Sequence, residues 1–333
     1  MTFKGGFKPF DVPRPASAAA WDRRRAGLRA RLAALLGDLP PLFTPSARVL
    51  ARTDRGGWTL EKIAFDNGVG DGVRGYLCLP KGPRRRRPAV LYHHYHGMEY
   101  GNGKEELLKR GPAGISPAEA FAREGWIALA IDAYAFGERR TQGPAGDRES
   151  GIETEHSLCK KFTWEGRTLW GMMVRDDRLA LNYLASRPDV DPARIGATGM
   201  SMGSTRTWWL AALDERVKVS AAVACLTRYQ ELIRRGALDQ HGFYYFVPGV
   251  LKEKIDAEAI VGLVAPRPLL TLTGGRDAGS PVEGVRKINT FVSGLYRLYG
   301  AKERFQGVVY PRVGHVYTRA MWDEMSAWFQ KYL

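Results

Sequence analysis

Ser201 is the residue of this chain best suited to nucleophilic chemistry, because it lies between Gly199 and Gly203 in a Gly-x-Ser-x-Gly segment. The apolar residues 194–199 predict a strand before it, and 204–213 have the pattern of a helix after it. A serine at such a sharp strand-to-helix turn adopts a strained backbone that projects its hydroxyl away from the sheet. The alternative is an ordinary tight turn, but the flanking strand and helix favour a nucleophile.

A serine nucleophile needs a base, since its hydroxyl hardly ionises at neutral pH and a neutral imidazole must accept the proton. Of the six histidines, His315 follows the last predicted strand, at the sheet edge where α/β folds bind ligands. Asp277 follows the preceding strand and is predicted to orient that imidazole, giving the order serine, acid, histidine. The alternatives are a surface histidine and a turn-capping aspartate, with Glu283 and Asp256 as reserve acids.

The negative charge that develops during acyl transfer requires backbone N–H donors. The N–H of Met202 opens the predicted helix and is one expected donor. The second expected donor is the N–H of Met98, with the N–H of Gly97 as the fallback. Both residues follow the histidine-rich segment at the end of the strand predicted at 89–92. His94 and His96 in that segment have a spacing that can chelate zinc, but no further ligand follows at the right distance, so no metal site is predicted.

An aromatic segment at 241–248 interrupts the alternation of strands and helices. We expect the insertion at about 227–260 to be lid-like and to contribute to an apolar substrate pocket. The alternative is an ordinary excursion whose aromatic side chains pack onto the core. The predicted pocket residues are Tyr95, His96, Tyr244, Tyr245 and Phe246. Three arginines that could meet an anionic substrate, or equally form surface ion pairs, are Arg139, Arg228 and Arg276.

Apolar strands that alternate with helices predict an α/β fold whose mostly parallel sheet is covered on both faces. The predicted sheet has eight strands, at 58–65, 73–79, 89–92, 126–130, 194–199, 217–225, 268–273 and 307–310. The predicted helices lie at 18–36, 118–124, 166–186, 204–213, 281–299 and 319–333, and 226–238 is a further candidate helix. Residues 1–50 are expected to be an N-terminal helical extension, whose helix packs on the domain or forms a dimer contact. Residues 51–333 are expected to be the catalytic domain.

The composition of the 333 residues, with 44% hydrophobic and 26% charged residues, is that of an ordinary globular protein. The net charge is +15, and the densest run of positive charge is 84–87, four consecutive arginines. No aromatic residue is interleaved there, so a solvated loop is favoured over a nucleic-acid site. No apolar run is long enough for a membrane span and no signal-peptide core begins the chain, which predicts a cytoplasmic protein. Cys78, Cys159 and Cys225 are expected to be buried free thiols.

From about residue 58 onward, the chain resembles the α/β-hydrolase superfamily, in particular its dienelactone-hydrolase-like and acetylxylan-esterase-like branches. The matching segments are His96-Gly97, 132–139, 189–194, 199–203, 275–277 and Gly314-His315. The resemblance implies Ser201 as nucleophile, Asp277 as acid and His315 as base. This chain differs from the dienelactone hydrolases themselves, which use a cysteine nucleophile where it has Ser201. Ordinary carboxylic esters are therefore the expected substrates.

The expected function is therefore the hydrolysis of small-acyl esters, acetyl esters among them, through an acyl-enzyme and without a cofactor. A serine peptidase or aminopeptidase on the same fold is one alternative, since a triad alone does not distinguish esters from amides. A hydrolase fold retained as a non-catalytic small-molecule-binding protein is the other. The expected partner is a small-molecule ester. Binding to nucleic acid or to a membrane is not expected, and the sequence is compatible with a homo-oligomer.

Overall fold

The computed structural model describes residues 8–70, 72–83 and 85–333. Asp71, between the predicted strands at 58–65 and 73–79, and Arg84 of the arginine run lie outside the described residues. The strands are β1 (Arg48–Asp54), β2 (Trp58–Asp66), β3 (Gly72–Pro80), β4 (Arg87–His93), β5 (Ile127–Ile131), β6 (Val190–Met200), β7 (Val219–Val223), β8 (Leu269–Gly274) and β9 (Phe305–Tyr310). The helices are α1 (Ala18–Leu35), α2 (Pro117–Arg123), α3 (Ile152–Trp164), α4 (Leu169–Ser186), α5 (Met202–Leu213), α6 (Tyr229–Arg235), α7 (Ala257–Gly262), α8 (Val282–Leu298) and α9 (Arg319–Tyr332).

In the described ranges, one sheet contains nine strands in the order β1-β2-β3-β5-β4-β6-β7-β8-β9. The pairs β1–β2, β2–β3 and β3–β5 are antiparallel, and the pairs from β5 through β4 and β6 to β9 are parallel. The sequence predicted eight strands, and the additional one is β1. Every residue of this edge strand is exposed, so it lacks the apolar pattern from which a strand is predicted.

The parallel part of the sheet is buried on both faces, because helices cover each of them. Every residue of β5, β7 and β8 is buried, as expected for parallel strands between two helical layers. The core on one face includes side chains of α1, α4, α5, α7 and α8, and the core on the other includes those of α2 and α9. The predicted α/β fold with a mostly parallel sheet is confirmed, and the carboxyl ends of β4, β6, β8 and β9 lie at one edge.

Helix α1 packs onto this core. Ser17 caps it by accepting a hydrogen bond from the N–H of Ala20 at 3.2 Å. Trp21, Leu28 and Leu32 are buried on its inner side, and the Trp21 ring meets Phe291 of α8 edge-on, with centroids 5.9 Å apart. The first helix thus shares the hydrophobic core of the main body.

The sequence analysis predicts a solvated loop for the arginine run, but Arg87 is the first residue of β4. It is buried, and its guanidinium donates to the carbonyls of Lys81, Pro83 and Gly125. Such contacts satisfy backbone acceptors between strands, so this arginine has a structural role. Among the described residues, no helix combines the length and the apolar character needed to cross a membrane.

Candidate active site

The turn between β6 and α5 holds Ser201 in a strained conformation. Its φ of 58° and ψ of −120° lie outside the regions that L-residues normally occupy. The Ser201 N–H donates to the carbonyl of Val223 at 2.9 Å, which ties the turn to β7. A side chain at Gly199 or Gly203 would overlap the carbonyl oxygen of His93 on β4. Both glycines are therefore required for the close approach of this turn to β4.

The three residues predicted to form a catalytic triad are joined by two hydrogen bonds. Nε2 of His315 lies 2.8 Å from Oγ of Ser201, and Nδ1 of His315 lies 2.8 Å from Oδ2 of Asp277. The carboxylate accepts from Nδ1–H, which leaves the lone pair on Nε2 facing the hydroxyl. The reserve acids lie elsewhere, since Glu283 pairs with a surface arginine and Asp256 caps α7.

Two loops at the carboxyl edge bring the acid and the histidine together. The first follows β8 and carries Asp277, and the second follows β9 and carries His315. The N–H of Arg276 donates to the carbonyl of Val313 at 2.9 Å, and a side chain at Gly274 would overlap the carbonyl of Gly314. The absence of a Cβ at Gly274 thus permits the contact between the loops.

The Asp277 carboxylate stabilises the protonated form of His315. The hydrogen bond with Asp277 raises the pKa of His315 above its usual value, against a smaller opposing effect of burial. The Asp277 side chain is only 1% exposed, whereas that of His315 is 41% exposed. A buried carboxylate therefore stabilises positive charge on an imidazole that remains accessible from solvent.

The two predicted oxyanion donors differ in their surroundings. Met202 is the first residue of α5, so its N–H has no acceptor within the helix. The N–H of Met98, however, donates to Nδ1 of His96 at 3.1 Å. The fallback donor, the N–H of Gly97, has no acceptor within the described part of the chain. Both Gly97 and Met98 have positive φ, at 52° and 59°, so this turn is a constrained one.

A buried carboxylate that the sequence did not predict holds this turn. Glu155 of α3 is 1% exposed and accepts from Nε2–H of His96 at 2.9 Å and from the Tyr100 hydroxyl at 3.2 Å. Because Nε2 carries the proton, Nδ1 can accept from Met98. Leu158 and Phe162, which are buried and four residues apart, have the apolar spacing that could have indicated α3.

The site opens into a cavity of about 850 Å³. Its lining includes the three hydrogen-bonded residues together with predicted pocket residues His96, Tyr244 and Phe246. Two other predicted pocket residues do not line it. Tyr95 instead donates its hydroxyl to Glu99 at 2.8 Å, and Tyr245 is buried in the main core. The remaining lining comes mainly from α3 and from residues 238–243 of the predicted insertion, which form one wall.

The cavity also contains a thiol, Cys225, beside His241. The ring Nε2–H of His241 donates to the carbonyl of Gly279 at 2.7 Å, and Nδ1 lies 3.9 Å from the Cys225 sulfur. Burial raises the pKa of Cys225 and lowers that of His241. Both groups are therefore neutral at pH 7, and the thiol is not a prepared nucleophile. Cys78 is likewise buried and free, whereas Cys159 is free and only half-buried, contrary to the prediction.

The arginines considered for anion binding do not line the cavity. Arg139 is fully buried and pairs with Asp176 at 2.9 Å, and Arg228 is buried and donates to Glu258 at 3.0 Å. Arg276 is exposed at the surface, outside the lining.

The neighbouring histidines have separate partners. His93 contacts Thr207 at 2.9 Å, and His94 joins the loops after β4 and β5 through Tyr95 and Ala133. No group of three or more metal-binding side chains occurs in residues 8–70, 72–83 and 85–333.

A strand-turn-helix serine at the carboxyl edge of this sheet, with an acid and a histidine on later loops, is the arrangement of the α/β-hydrolase superfamily. Residues 73–320 match the model of the dienelactone hydrolase family, and the chain belongs to that family. It is 37% identical over 311 residues to YtaP of Bacillus subtilis (strain 168), whose name only proposes a hydrolase; the match covers 93% of this chain and 100% of that protein.

Two solved structures illustrate the similarity of the fold. A glucuronoyl esterase from Solibacter usitatus superimposes with a TM-score of 0.70 and 16% identity, covering 99% of this chain and 95% of that one. An acetyl xylan esterase from Paenibacillus sp. R4 superimposes with a TM-score of 0.58 and 19% identity, covering 98% of both chains. At these identities the similarity concerns the fold.

Proposed function

We propose that this protein is a serine hydrolase that cleaves carboxylic esters with small acyl groups, acetyl esters among them, through an acyl-enzyme. The observation that carries the proposal is the hydrogen-bonded line from Ser201 through His315 to Asp277 at the floor of an open cavity. Membership of the dienelactone hydrolase family supports the same reaction class.

In the proposed reaction, Ser201 Oγ attacks the ester carbonyl while Nε2 of His315 accepts its proton. Asp277 fixes the imidazole tautomer and stabilises the positive charge that forms. The protonated His315 then donates to the departing alkoxide oxygen, which leaves as the alcohol. Water, deprotonated by the same imidazole, releases the acid and regenerates Ser201.

The negative charge on the carbonyl oxygen needs two donors during these steps. We assign one to the N–H of Met202 and the other to the turn at Gly97 and Met98. In this turn, Glu155 and His96 hold the backbone through the bond from the Met98 N–H to Nδ1. Glu155 is in this proposal a positioning residue, since it acts through His96.

The test is turnover of p-nitrophenyl acetate by the wild type and by Ser201→Ala. Loss of a catalytic serine typically lowers kcat by about 10⁶-fold, so the variant should show no turnover above background. The matched control is Cys225→Ser, which replaces the neutral thiol in the same cavity and should keep the activity within about threefold. Turnover that survives in Ser201→Ala and disappears in Cys225→Ser would transfer the nucleophile to the thiol.

A further inference from the structure

Exposed apolar side chains are concentrated around the mouth of the cavity. Thirteen large apolar residues are exposed in the described part of the chain, and five of them line this cavity. These five are Met98, Ile152, Leu238, Phe243 and Phe246, with 60%, 40%, 44%, 60% and 41% exposure. Single exposed apolar residues need no explanation, but a group at the mouth of a site indicates a surface that a ligand covers.

Aromatic rings continue this apolar surface into the cavity. The Tyr244 ring is buried and stacks on His96, with centroids 5.1 Å apart and an interplanar angle of 24°. The Tyr100 ring meets His96 edge-on at 5.1 Å, and Phe243 at the mouth meets His156 edge-on at 5.2 Å. An apolar group that enters the cavity therefore meets aromatic side chains as well as the exposed apolar ones.

The charge of the cavity is opposite in sign to that of the protein. The chain has 50 Lys and Arg residues and a net charge of +15, yet no Lys or Arg occurs in the lining of this cavity. The charged groups that do line it are the carboxylates of Glu155, Asp239 and Asp277. Apart from His315, an anion in the cavity would thus lose hydration without gaining a cationic partner, and it would meet the exposed carboxylate of Asp239.

We propose that the cavity selects uncharged esters that carry an aryl or extended alkyl group, and that it rejects esters whose non-reacting part is anionic. The inference rests on the proposed ester hydrolysis at Ser201 and adds the substrate class. The apolar group contacts the five residues at the mouth while the ester carbonyl reaches the Ser201 hydroxyl.

Two measurements separate this inference from the proposed function. The first compares wild-type kcat/KM for methyl 4-acetoxybenzoate with that for 4-acetoxybenzoate, an acetyl ester of the same ring whose non-reacting end is a carboxylate. The second measures by calorimetry the binding of the same two compounds to Ser201→Ala, a measurement that needs no turnover. We expect the neutral compound to be favoured by about tenfold or more in both.

A pair of aromatic substitutions tests the role of the mouth. Phe243→Ser, made in the Ser201→Ala protein, should weaken the binding of methyl 4-acetoxybenzoate by about tenfold, in line with the loss of one aromatic contact surface. Trp164→Ser is the matched control, because Trp164 is 91% exposed and lies outside the lining, and it should leave the binding unchanged. Both sites are at the surface, so thermal unfolding should be little affected.

The inference is overturned if the anionic compound binds as well as the neutral one, or if Phe243→Ser binds methyl 4-acetoxybenzoate like its parent. Absence of ester turnover, with the neutral compound still preferred in the binding measurement, would instead reject the proposed hydrolysis and leave the selectivity of the cavity standing.

Discussion

Replacement of Asp277 by asparagine changes one atom of the proposed triad and removes its negative charge. In the wild type, Asp277 Oδ2 accepts from Nδ1–H of His315 at 2.8 Å. An asparagine can present its amide N–H₂ to Nδ1, which places the imidazole proton on Nε2. His315 would then have no lone pair toward the Ser201 hydroxyl and could not accept its proton.

The size of the effect follows from the geometry. For opposite unit charges 2.8 Å apart, Coulomb's law at an effective dielectric constant of about 20 gives about 6 kcal/mol. Because the His315 side chain is 41% exposed, solvent screening reduces this value. We therefore expect a loss of about 4 kcal/mol in the transition state, which lowers kcat about 10³-fold.

The pH profile gives a second readout of the same bond. The base must be neutral, so kcat/KM should rise with pH and level off above the pKa of His315, which the hydrogen bond with Asp277 raises above 6.5. Asp277→Asn removes the carboxylate that raises the pKa of His315, while burial still lowers that pKa. The midpoint of the rise in residual kcat/KM should therefore lie at a lower pH than in the wild type.

The assay is hydrolysis of p-nitrophenyl acetate from pH 5 to pH 9. Asp239→Asn is the matched control, because Asp239 is exposed in the same cavity and should change kcat by less than about threefold. A wild-type rate in Asp277→Asn, or an unshifted profile with a folded protein, would refute this role of Asp277.

Further results are expected at Glu155 and at two glycines. Glu155→Gln should lower kcat for p-nitrophenyl acetate about tenfold with KM within about twofold, since it disturbs the turn that supplies an oxyanion donor. The control Glu153→Gln, which changes an exposed residue of the same helix, should not lower kcat. A change confined to KM in Glu155→Gln would contradict the assignment. Gly203→Ala should lower the urea midpoint of unfolding or prevent folding, because its Cβ overlaps the His93 carbonyl. Gly27→Ala in α1, with no atom within 4 Å of the added Cβ, should stabilise the protein by about 0.5–1 kcal/mol; equal midpoints for the two variants would contradict this difference.

The sequence was sufficient to predict the buried strands and the approximate positions of Ser201, Asp277 and His315. Each of these residues follows an apolar strand, and the carboxyl ends of parallel strands meet at one edge. The contact between the two later loops depends on Gly274, whose steric role became visible only from the neighbouring Gly314 carbonyl.

Other features have no local signal. Strand β1 is held at the edge by pairing with β2 and has no buried residue, so its sequence carries no strand periodicity. Tyr244 and Tyr245 are adjacent in sequence, yet only Tyr244 lines the cavity, because tertiary packing decides which side chain faces it. The contact between Glu155 and His96 spans 59 residues and depends on how α3 packs, which residue types alone do not specify.

The most direct test of the central claim is to identify the atom that becomes covalently bound. The wild-type protein should be treated with a fluorophosphonate, digested and analysed by tandem mass spectrometry. The proposed mechanism predicts one equivalent of phosphonyl adduct on Ser201, absent in Ser201→Ala and at least 10²-fold slower in Asp277→Asn. An adduct on another residue, or no adduct while p-nitrophenyl acetate is turned over, would contradict it.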